Sequence, residues 1–303
     1  MRSDRAEKLR VVFFGTSGFA LPSLDALARA HDLQAVVTQP DRPAGRGLKE
    51  RQSPVKARAL SLGLDVLTPD RLDAGFVERI AALRPALLAC ISYGNILPAS
   101  LLGIDGMTPL NVHPSPLPEY RGASPIQAAL RDGRTATGVT IIWMSAKMDA
   151  GDIALQREIA IGSDDDYGAL HDRLAAVGAR LLVEATGMLA RGELPRERQD
   201  EARATYTRPI GKDDVRIATS STARAIVDLV RSASPSPGAW LMHDGKRLKV
   251  LQARVEPAGA GAFAADGPGI AAADGFVRFL RVVPEGKPAM SGADFVRSTA
   301  RRE

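Results

Sequence analysis

The sequence predicts an α/β fold, in which a mostly parallel sheet carries helices on both faces, followed by a small all-β domain. Short apolar runs alternate with helical stretches through the first half of the chain, which is the pattern of a parallel sheet. The last third instead holds short strands between tight-turn signals. A chain of 303 residues suits two domains. We therefore predict a Rossmann-like domain over residues 1–191, a linker over 192–207 and a small β-barrel over 208–303.

The first domain opens with an apolar strand that enters a glycine turn. Its predicted strands are residues 10–15, 33–38, 65–67, 87–91, 108–112 and 137–143. Ser53, Pro54 and Gly63 are typical of the N-cap, the first position and the stop of an intervening helix. Since the Gly-x-Gly-x-x-Gly pattern is absent after the first strand, a dinucleotide site is disfavoured.

Two later helices are marked by their starts. Ser124 opens a capping-box-like sequence after a proline-rich loop. The three aspartates at 164–166 precede a long amphipathic pattern, and their negative charge favours a helix N-terminus over a metal site. Gly192 ends that helix, and the polar residues 193–207 are predicted to be an exposed linker.

The last third contains two Asp-Gly pairs, at 244–245 and 274–275, which are typical of tight hairpin turns. A helix is predicted before them, at 221–232. Residues 257–269, rich in Ala and Gly, are predicted to form a mobile loop. The expected strands are residues 239–243, 247–255 and 276–283.

The strongest functional signal lies between residues 110 and 152. Asn111 and His113 close an apolar strand, and because alternate strand residues point to one face, both side chains can address one point. The following loop, 114–122, contains three prolines, which make it rigid. Asp149 lies on a later loop. An imidazole with a polarising amide and an orienting carboxylate is what acid/base catalysis requires.

Three runs resemble the signature of the folate-dependent formyltransferases: Asn-Val-His-Pro-Ser-Pro-Leu-Pro-Glu-Tyr-Arg-Gly-Ala-Ser-Pro-Ile-Gln at 111–127, Thr-Gly-Val-Thr-Ile at 137–141 and Met-Asp-Ala-Gly-Asp at 148–152. Further matches occur in order at residues 13–20, 38–47, 53–56, 93–98 and 286–291. The loop Asp-Arg-Pro-Ala-Gly-Arg-Gly at 41–47 and the C-terminal match resemble the branch of the family that acts on methionyl initiator tRNA in translation initiation.

This resemblance implies 10-formyltetrahydrofolate as co-substrate, methionyl initiator tRNA as acceptor and no metal. Asn111 would then stabilise the negative charge on the formyl oxygen, His113 would move the proton, and Asp149 would orient the imidazole. The turn at 93–98 would lie near the pterin. The folate is expected to rest on the loop residues Ser115, Pro116, Leu117 and Pro118. For Arg121 we favour a structural role in this loop over a contact with the folate glutamate.

Charge points to the same acceptor. Residues 196–254 hold 12 Lys and Arg against 7 Asp and Glu, a surplus equal to the whole net charge of +5. A second basic stretch, 41–58, holds six basic residues against two acidic ones. Basic patches attract phosphate backbones, and a solvated charged surface is the alternative that charge alone leaves open. We choose Arg42 and Arg46 as tRNA contacts, and the resemblance implies an OB-like fold for the C-terminal barrel.

Composition excludes several classes. No apolar run approaches the ~20 residues of a membrane helix and no secretory signal is evident, so we expect a cytoplasmic protein. We also expect a monomer. The single cysteine, Cys90, lies in an apolar run and is expected to be buried and inert. The four histidines show no metal-ligand spacing.

Three alternatives stay open on the sequence. The nearest is the same chemistry on a small amine, such as a sugar nucleotide or glycinamide ribonucleotide, which would need neither basic region. The second is hydrolysis of the formyl folate with water as the nucleophile. The third is a catalytically silent RNA-binding protein, which the intact Asn111, His113 and Asp149 disfavour.

Overall fold

A computed structural model describes residues 8–44, 49–257, 261 and 263–300, which fall into two compact units. The N-terminal unit comprises the described parts of residues 1–122, 138–159 and 172–206. The C-terminal unit comprises those of 123–137, 160–171 and 207–303. The second unit therefore includes two short segments that lie between parts of the first unit in the sequence.

Seventeen strands and eight helices are found in the described residues. The strands are β1 Arg10–Gly15, β2 Asp32–Val37, β3 Arg42–Ala44, β4 Lys49–Arg51, β5 Val66–Leu67, β6 Leu87–Ile91, β7 Thr108–His113, β8 Arg121–Gly122, β9 Ala136–Trp143, β10 Ile153–Ala160, β11 Tyr206–Thr207, β12 Ala239–His243, β13 Lys246–Glu256, β14 Phe263–Ala264, β15 Gly267–Ala271, β16 Phe276–Pro284 and β17 Met290–Ser291. The helices are α1 Leu21–Ala30, α2 Pro54–Ser61, α3 Ala74–Ala82, α4 Ala99–Leu102, α5 Pro125–Arg131, α6 Tyr167–Ala190, α7 Ala223–Ala233 and α8 Gly292–Ala300.

The main sheet has seven strands in the order β10-β9-β7-β6-β1-β2-β5. Strands β5, β2, β1, β6 and β7 pair in parallel, and β9 runs antiparallel to β7. The central strands β1 and β6 consist almost wholly of buried apolar residues, as strands covered on both faces do. The predicted mostly parallel, Rossmann-like sheet is confirmed.

The C-terminal unit is built on a second, antiparallel sheet in the order β12-β13-β16-β15-β14, with β17 paired to β16. Asp244 and Gly245, the turn between β12 and β13, both have positive φ, as the predicted hairpin requires. The register between β13 and β16 shifts near Gln252, and such bulges bend a strand. The sheet packs on α7 and α8 around one apolar core. This is consistent with the predicted small barrel domain.

The helix ends follow the sequence signals at most positions. The Ser53 hydroxyl accepts a hydrogen bond from the Lys56 backbone N–H at the start of α2, and Gly63 ends this region with φ of +69°. The Asp166 carboxylate accepts from the Ala169 N–H at the start of α6. The aspartates at 164–166 thus include a helix cap, as predicted.

Some expectations were wrong. Ser124 makes no side-chain capping bond at the start of α5, so the predicted capping box is absent. Strand β10 was missed because Gln156, Arg157 and Glu158 interrupt its apolar residues, so it lacks a continuous apolar run. Part of the predicted mobile loop, 263–269, instead contains β14 and the start of β15. Among the described helices, none combines the length and apolarity that crossing a bilayer demands.

Candidate active site

His113 ends β7, and the elements around it explain its position. Strand β7 lies between β6 and β9, so its carboxyl end opens at the edge of the sheet where ligands bind in folds of this class. The ring is almost fully buried, with 4% of the residue exposed. Asn111 lies two residues earlier on the same strand face and is half-buried. The strand therefore brings together the two residues that the sequence paired.

Two groups contact the His113 imidazole. The Nε2 atom lies 2.9 Å from the carbonyl oxygen of Tyr120, and because a carbonyl can only accept, the hydrogen is assigned to Nε2. The Nδ1 atom faces an Asp149 carboxylate oxygen at 3.6 Å, which is too long for a hydrogen bond. The hydrogen bond that orients the ring is thus donated to the Tyr120 carbonyl, which the sequence did not single out.

Asp149 is held by its own backbone environment. Its φ is +51°, a left-handed conformation that is uncommon for a residue other than glycine. The Oδ2 atom that faces His113 accepts a hydrogen bond of 2.8 Å from the Gly122 N–H. The carboxylate is 16% exposed. One oxygen of Asp149 is therefore fixed between the proline loop and the imidazole.

The Asn111 amide has no hydrogen-bond partner within the described part of the chain. Its strand neighbours in register are Cys90 on β6 and Ile142 on β9. Because neither neighbour has a side chain that competes strongly for the amide, the group is available to a ligand that lies over the strand end. This availability suits a hydrogen-bond donor to a developing oxyanion.

Hydrogen bonds hold the proline loop, residues 114–122, in place. The Ser115 hydroxyl donates to the Glu119 carbonyl at 2.6 Å, and the Thr140 hydroxyl donates to the Ser115 carbonyl at 2.7 Å. The Leu117 N–H donates to the Thr140 hydroxyl, and Gln156 donates to the Leu117 carbonyl. These bonds satisfy the groups that a loop would otherwise offer to water, so the loop is preformed.

Of the four residues predicted to carry the folate, Ser115, Leu117 and Pro118 are buried, and Pro116 is partly exposed. A ligand resting on this loop would therefore meet the Pro116 ring and backbone rather than the Ser115 hydroxyl or the Leu117 side chain.

Arg121 has the structural role that we favoured. Its side chain is fully buried, and its guanidinium donates to the Gln199 side-chain oxygen, to the Glu201 carboxylate and to the Tyr206 hydroxyl. The hydrogen bond that Arg121 donates to Glu201 is the largest cause that raises the pKa of Arg121. The guanidinium is thus held charged and occupied.

The turn at 93–98 lies at the carboxyl end of β6. The Thr16 hydroxyl after β1 donates to the Tyr93 carbonyl at 2.7 Å, so two strand ends are tied together. Burial raises the pKa of the Tyr93 phenol to about 12. Burial, followed by the charge of Asp149, also raises the pKa of the Cys90 thiol to about 12. Cys90 is buried and free, as predicted, and no thiolate is available for catalysis.

The basic loop is described in part. Strands β3 and β4 pair as a hairpin in which Arg42 is opposite Arg51. The Arg42 side chain and the whole of Arg46 lie outside the described residues. At the base of the hairpin, the Lys56 ammonium contacts the Asp41 carboxylate at 2.6 Å. Among the described residues no cluster of three or more His, Cys, Asp or Glu side chains could hold a metal ion.

Comparison with protein families matches almost the whole chain. Residues 9–186 match the family model described as formyl transferase, and residues 209–300 match the model described as formyl transferase, C-terminal domain. The first match contains Asn111, His113 and Asp149. The second contains the antiparallel sheet.

Two curated relatives are similar over nearly their full length. A methionyl-tRNA formyltransferase of Jannaschia sp. (strain CCS1) is 43% identical, with 95% of this chain and 96% of the relative covered. One from Anaeromyxobacter dehalogenans (strain 2CP-1) is 44% identical, with 97% and 98% covered.

A solved structure shares the fold at low sequence identity. The crystal structure of HypX from Aquifex aeolicus in complex with tetrahydrofolic acid has a TM-score of 0.68 and 17% identity over 96% of this chain. The chain spans 47% of the length of that protein. At this identity the likeness supports the fold alone.

Proposed function

The chain belongs to the methionyl-tRNA formyltransferase family, and we propose that Asn111, His113 and Asp149 carry out its reaction. The enzyme transfers a formyl group from 10-formyltetrahydrofolate to the amino group of methionyl initiator tRNA, a step of translation initiation. The observation that carries the proposal is the His113 ring, which lies between the Tyr120 carbonyl and the Asp149 carboxylate at the end of β7.

The reaction needs one oxyanion site and one proton carrier. The methionyl nitrogen attacks the formyl carbon, a new N–C bond forms, and negative charge collects on the formyl oxygen. The C=O bond then re-forms as the bond to folate N10 breaks. The proton that the methionyl nitrogen loses goes to N10, so atoms and charges balance without an oxidant or a metal.

Asn111 and His113 fit these two needs. The Asn111 side-chain N–H would donate to the formyl oxygen as the negative charge develops, and one such donor contributes about 10²–10³ in turnover. The Nε2–H of His113 is committed to Tyr120, so Nδ1 is the atom that would accept the amine proton and return it to N10. The Asp149 carboxylate, 3.6 Å from Nδ1, would attract the positive charge on the ring during this transfer.

The folate would lie against the proline loop, with its pterin near the turn at 93–98. Since Ser115, Leu117 and Pro118 are buried, the loop would offer Pro116 and its rigid backbone as a surface. Rigid placement of this kind holds the formyl carbon near Asn111 and His113, and such positioning is a large part of catalysis for a two-substrate reaction.

The acceptor RNA would be held by the basic regions. We propose Arg42 and Arg46 on the basic loop as contacts to the acceptor end, and the C-terminal domain, residues 208–303, as the second binding element. Residues 1–191 would form the catalytic domain and 192–207 the connection. We propose that the enzyme acts as a monomer in the cytoplasm.

The test is a formyl-transfer assay with radiolabelled 10-formyltetrahydrofolate and three acceptors: methionyl initiator tRNA, glycinamide ribonucleotide and water. We expect labelled formyl-methionyl-tRNA, with little transfer to the small amine and little release of formate. Faster transfer to glycinamide ribonucleotide, or formate as the main product, would assign the enzyme to another branch of the family.

A further inference from the structure

Residues 195–206, here called the strap, lie against both loops that contact His113. The strap follows α6 and belongs to the N-terminal unit. The sequence predicted it to be part of an exposed linker, on the grounds of its polarity. Its first half forms a bridge between Glu197 and Ile153, and the Pro195 carbonyl accepts from the Trp143 indole N–H at 2.8 Å. Its second half pairs with the proline loop through β11 and β8.

The two groups that contact the imidazole are both held in unusual backbone conformations. Tyr120 has φ of +59° and Asp149 has φ of +51°. A left-handed backbone is unfavourable for a residue with a side chain, and it persists only where the surrounding structure enforces it. Such strain is therefore expected to have a structural support nearby.

The strap supplies that support to both residues. The Tyr120 N–H donates to the Thr205 hydroxyl at 2.7 Å. The carbonyl of Asp149 accepts from the Gln199 side-chain amide at 2.8 Å, and the carbonyl of Gly151 accepts from the same amide at 2.6 Å. One strap residue thus supports each contact to His113.

Gln199 itself cannot turn freely. Its amide nitrogen uses both hydrogens on the two carbonyls of the Asp149 loop, and its oxygen accepts from Arg121 at 2.8 and 3.1 Å. Arg121 is fixed in turn by Glu201, on the same strap. Both donor and both acceptor positions of the Gln199 amide are occupied, and this fixes the rotamer of the side chain. The Asp149 loop is also close-packed, since a Cβ on Gly151 would lie 1.7 Å from the Trp143 carbonyl oxygen.

From these contacts we infer that Gln199 is a positioning residue for formyl transfer, which holds the Asp149 carboxylate opposite Nδ1 of His113. It touches no reacting atom and acts through the backbone of Asp149. The inference rests on the proposed role of Asp149. It adds to that role a residue outside the motif, 50 positions further along the chain.

Loss of the amide would affect the geometry of the carboxylate more than the fold. Without Gln199 the left-handed backbone at Asp149 loses a bond that favours it, and the carboxylate is free to move relative to Nδ1. A displacement of about 1 Å at a catalytic group can cost about 100-fold in rate, and supporting residues outside the contact layer commonly cost about 10- to 100-fold.

The experiment compares Gln199→Glu and Gln199→Leu with the full-length enzyme. Gln199→Glu keeps an oxygen for Arg121 but removes the amide that donates to the two carbonyls. We expect single-turnover formyl transfer to fall by about 10-fold or more in both variants, with KM for each substrate changed by less than about twofold. Gln34→Glu is the matched control, because within the described residues that exposed amide bonds to Asp32 alone, away from the proposed site, and its rate should not change.

A double-mutant cycle separates positioning from a general structural effect. In an Asp149→Ala background, Gln199→Leu should cost less than about twofold, because no carboxylate remains to be positioned. An equal loss in both backgrounds, or no loss in the wild-type background, would overturn the inference for Gln199 alone. If Asp149→Ala itself left the rate unchanged, the proposed mechanism would fail together with the inference.

A spectroscopic measurement covers the case of variants too slow or too unstable for the cycle. In ¹⁵N-histidine NMR, Gln199→Glu should change the imidazole signals of His113 while those of the distant His31 stay in place. Unchanged His113 signals in a folded Gln199→Glu protein would count against a positioning role.

Discussion

Among the described residues of each unit lies a fully buried arginine, Arg121 in the first and Arg278 in the second, and the two are used in different ways. Arg121 in the N-terminal unit binds Gln199, Glu201 and Tyr206, which lie 78 to 85 positions away in the sequence. Arg278 in the C-terminal unit binds Glu256 and the Gly267 carbonyl, which are 22 and 11 positions away on adjacent strands. The first arginine joins distant segments beside the proposed catalytic residues, whereas the second joins neighbouring strands of a sheet.

The comparison teaches that burial of a charged residue does not by itself indicate a functional site. A buried arginine requires partners wherever it lies, because an unpaired charge is costly to remove from water. The two arginines differ in the parts of the structure that their partners support. The partners of Arg121 support loops that contact His113, while those of Arg278 belong to hairpins whose hydrogen bonds already define the sheet.

The largest effect is expected at the His113 imidazole, because the hydrogen-bond partners of Arg121 support the loops that contact it. His113→Ala and Asp149→Ala should each reduce kcat by about 100-fold or more, because one removes the proton carrier and the other the carboxylate that attracts its charge. Both variants should keep the native fold, which circular dichroism checks. Folded variants with near wild-type turnover would remove both residues from the mechanism.

Arg121→Met is expected to have the next largest effect. The change leaves Gln199 without the partner that fixes its oxygen, so the Asp149 loop loosens, and kcat should fall by about 10-fold or more. Single-turnover transfer measures this loss, and circular dichroism checks the fold. A variant that is less stable but equally fast would show that Arg121 contributes only to stability. The proposed difference in role between Arg121 and Arg278 would then be wrong.

Arg278→Met is the matched change in the other unit. It removes one partner of a buried ion pair, leaves Glu256 without that charge, and should lower the free energy of unfolding of the C-terminal unit by about 2 kcal/mol. At saturating tRNA, kcat of the folded enzyme should be unchanged. Denaturant unfolding and the transfer assay on the same preparation test both statements. A 10-fold loss of kcat in the folded protein would contradict the assigned difference.

Acid should affect the N-terminal unit through His31. The buried ring donates from Nε2 to the Thr186 hydroxyl and accepts from the Leu9 N–H on Nδ1, so it is bound as the neutral form. Burial, followed by the charge of Lys8, lowers the pKa of His31 below its ordinary value of 6.5. Below pH 6.5 the unfolded chain therefore takes up a proton on His31 that the folded protein does not bind. The free energy of unfolding decreases as the pH falls from 6.5 towards the lowered pKa of the folded state. The free energy of unfolding, measured at a series of pH values, should depend less on pH in His31→Gln than in the wild type.

The fold could be predicted from the sequence further than the site could. Strands β1 and β6 were predicted with their observed ends because continuous apolar runs and flanking turns mark them. Asn111 and His113 were found because strand periodicity places them on one face. The support of the site was not predictable, because Gln199 and Thr205 bind to backbone groups far away in the sequence, which only folding brings next to them. Polarity alone made these residues resemble a linker.

The smallest expected effect is on the rate at which a thiol reagent labels Cys90. This rate tests whether the N-terminal unit opens independently of the C-terminal unit. Cys90 is the single cysteine of the chain, it lies on β6 in the N-terminal unit, and burial with the nearby Asp149 charge raises the pKa of its thiol to about 12. Near pH 8 the native wild-type protein should thus react with a thiol reagent only through transient opening of this core. Arg121→Met should speed labelling by weakening the same unit, whereas Arg278→Met should leave the labelling rate unchanged although it lowers stability elsewhere. Equal acceleration by both changes would mean that the two units open together, and the contrast between the two arginines would then hold for catalysis but not for stability.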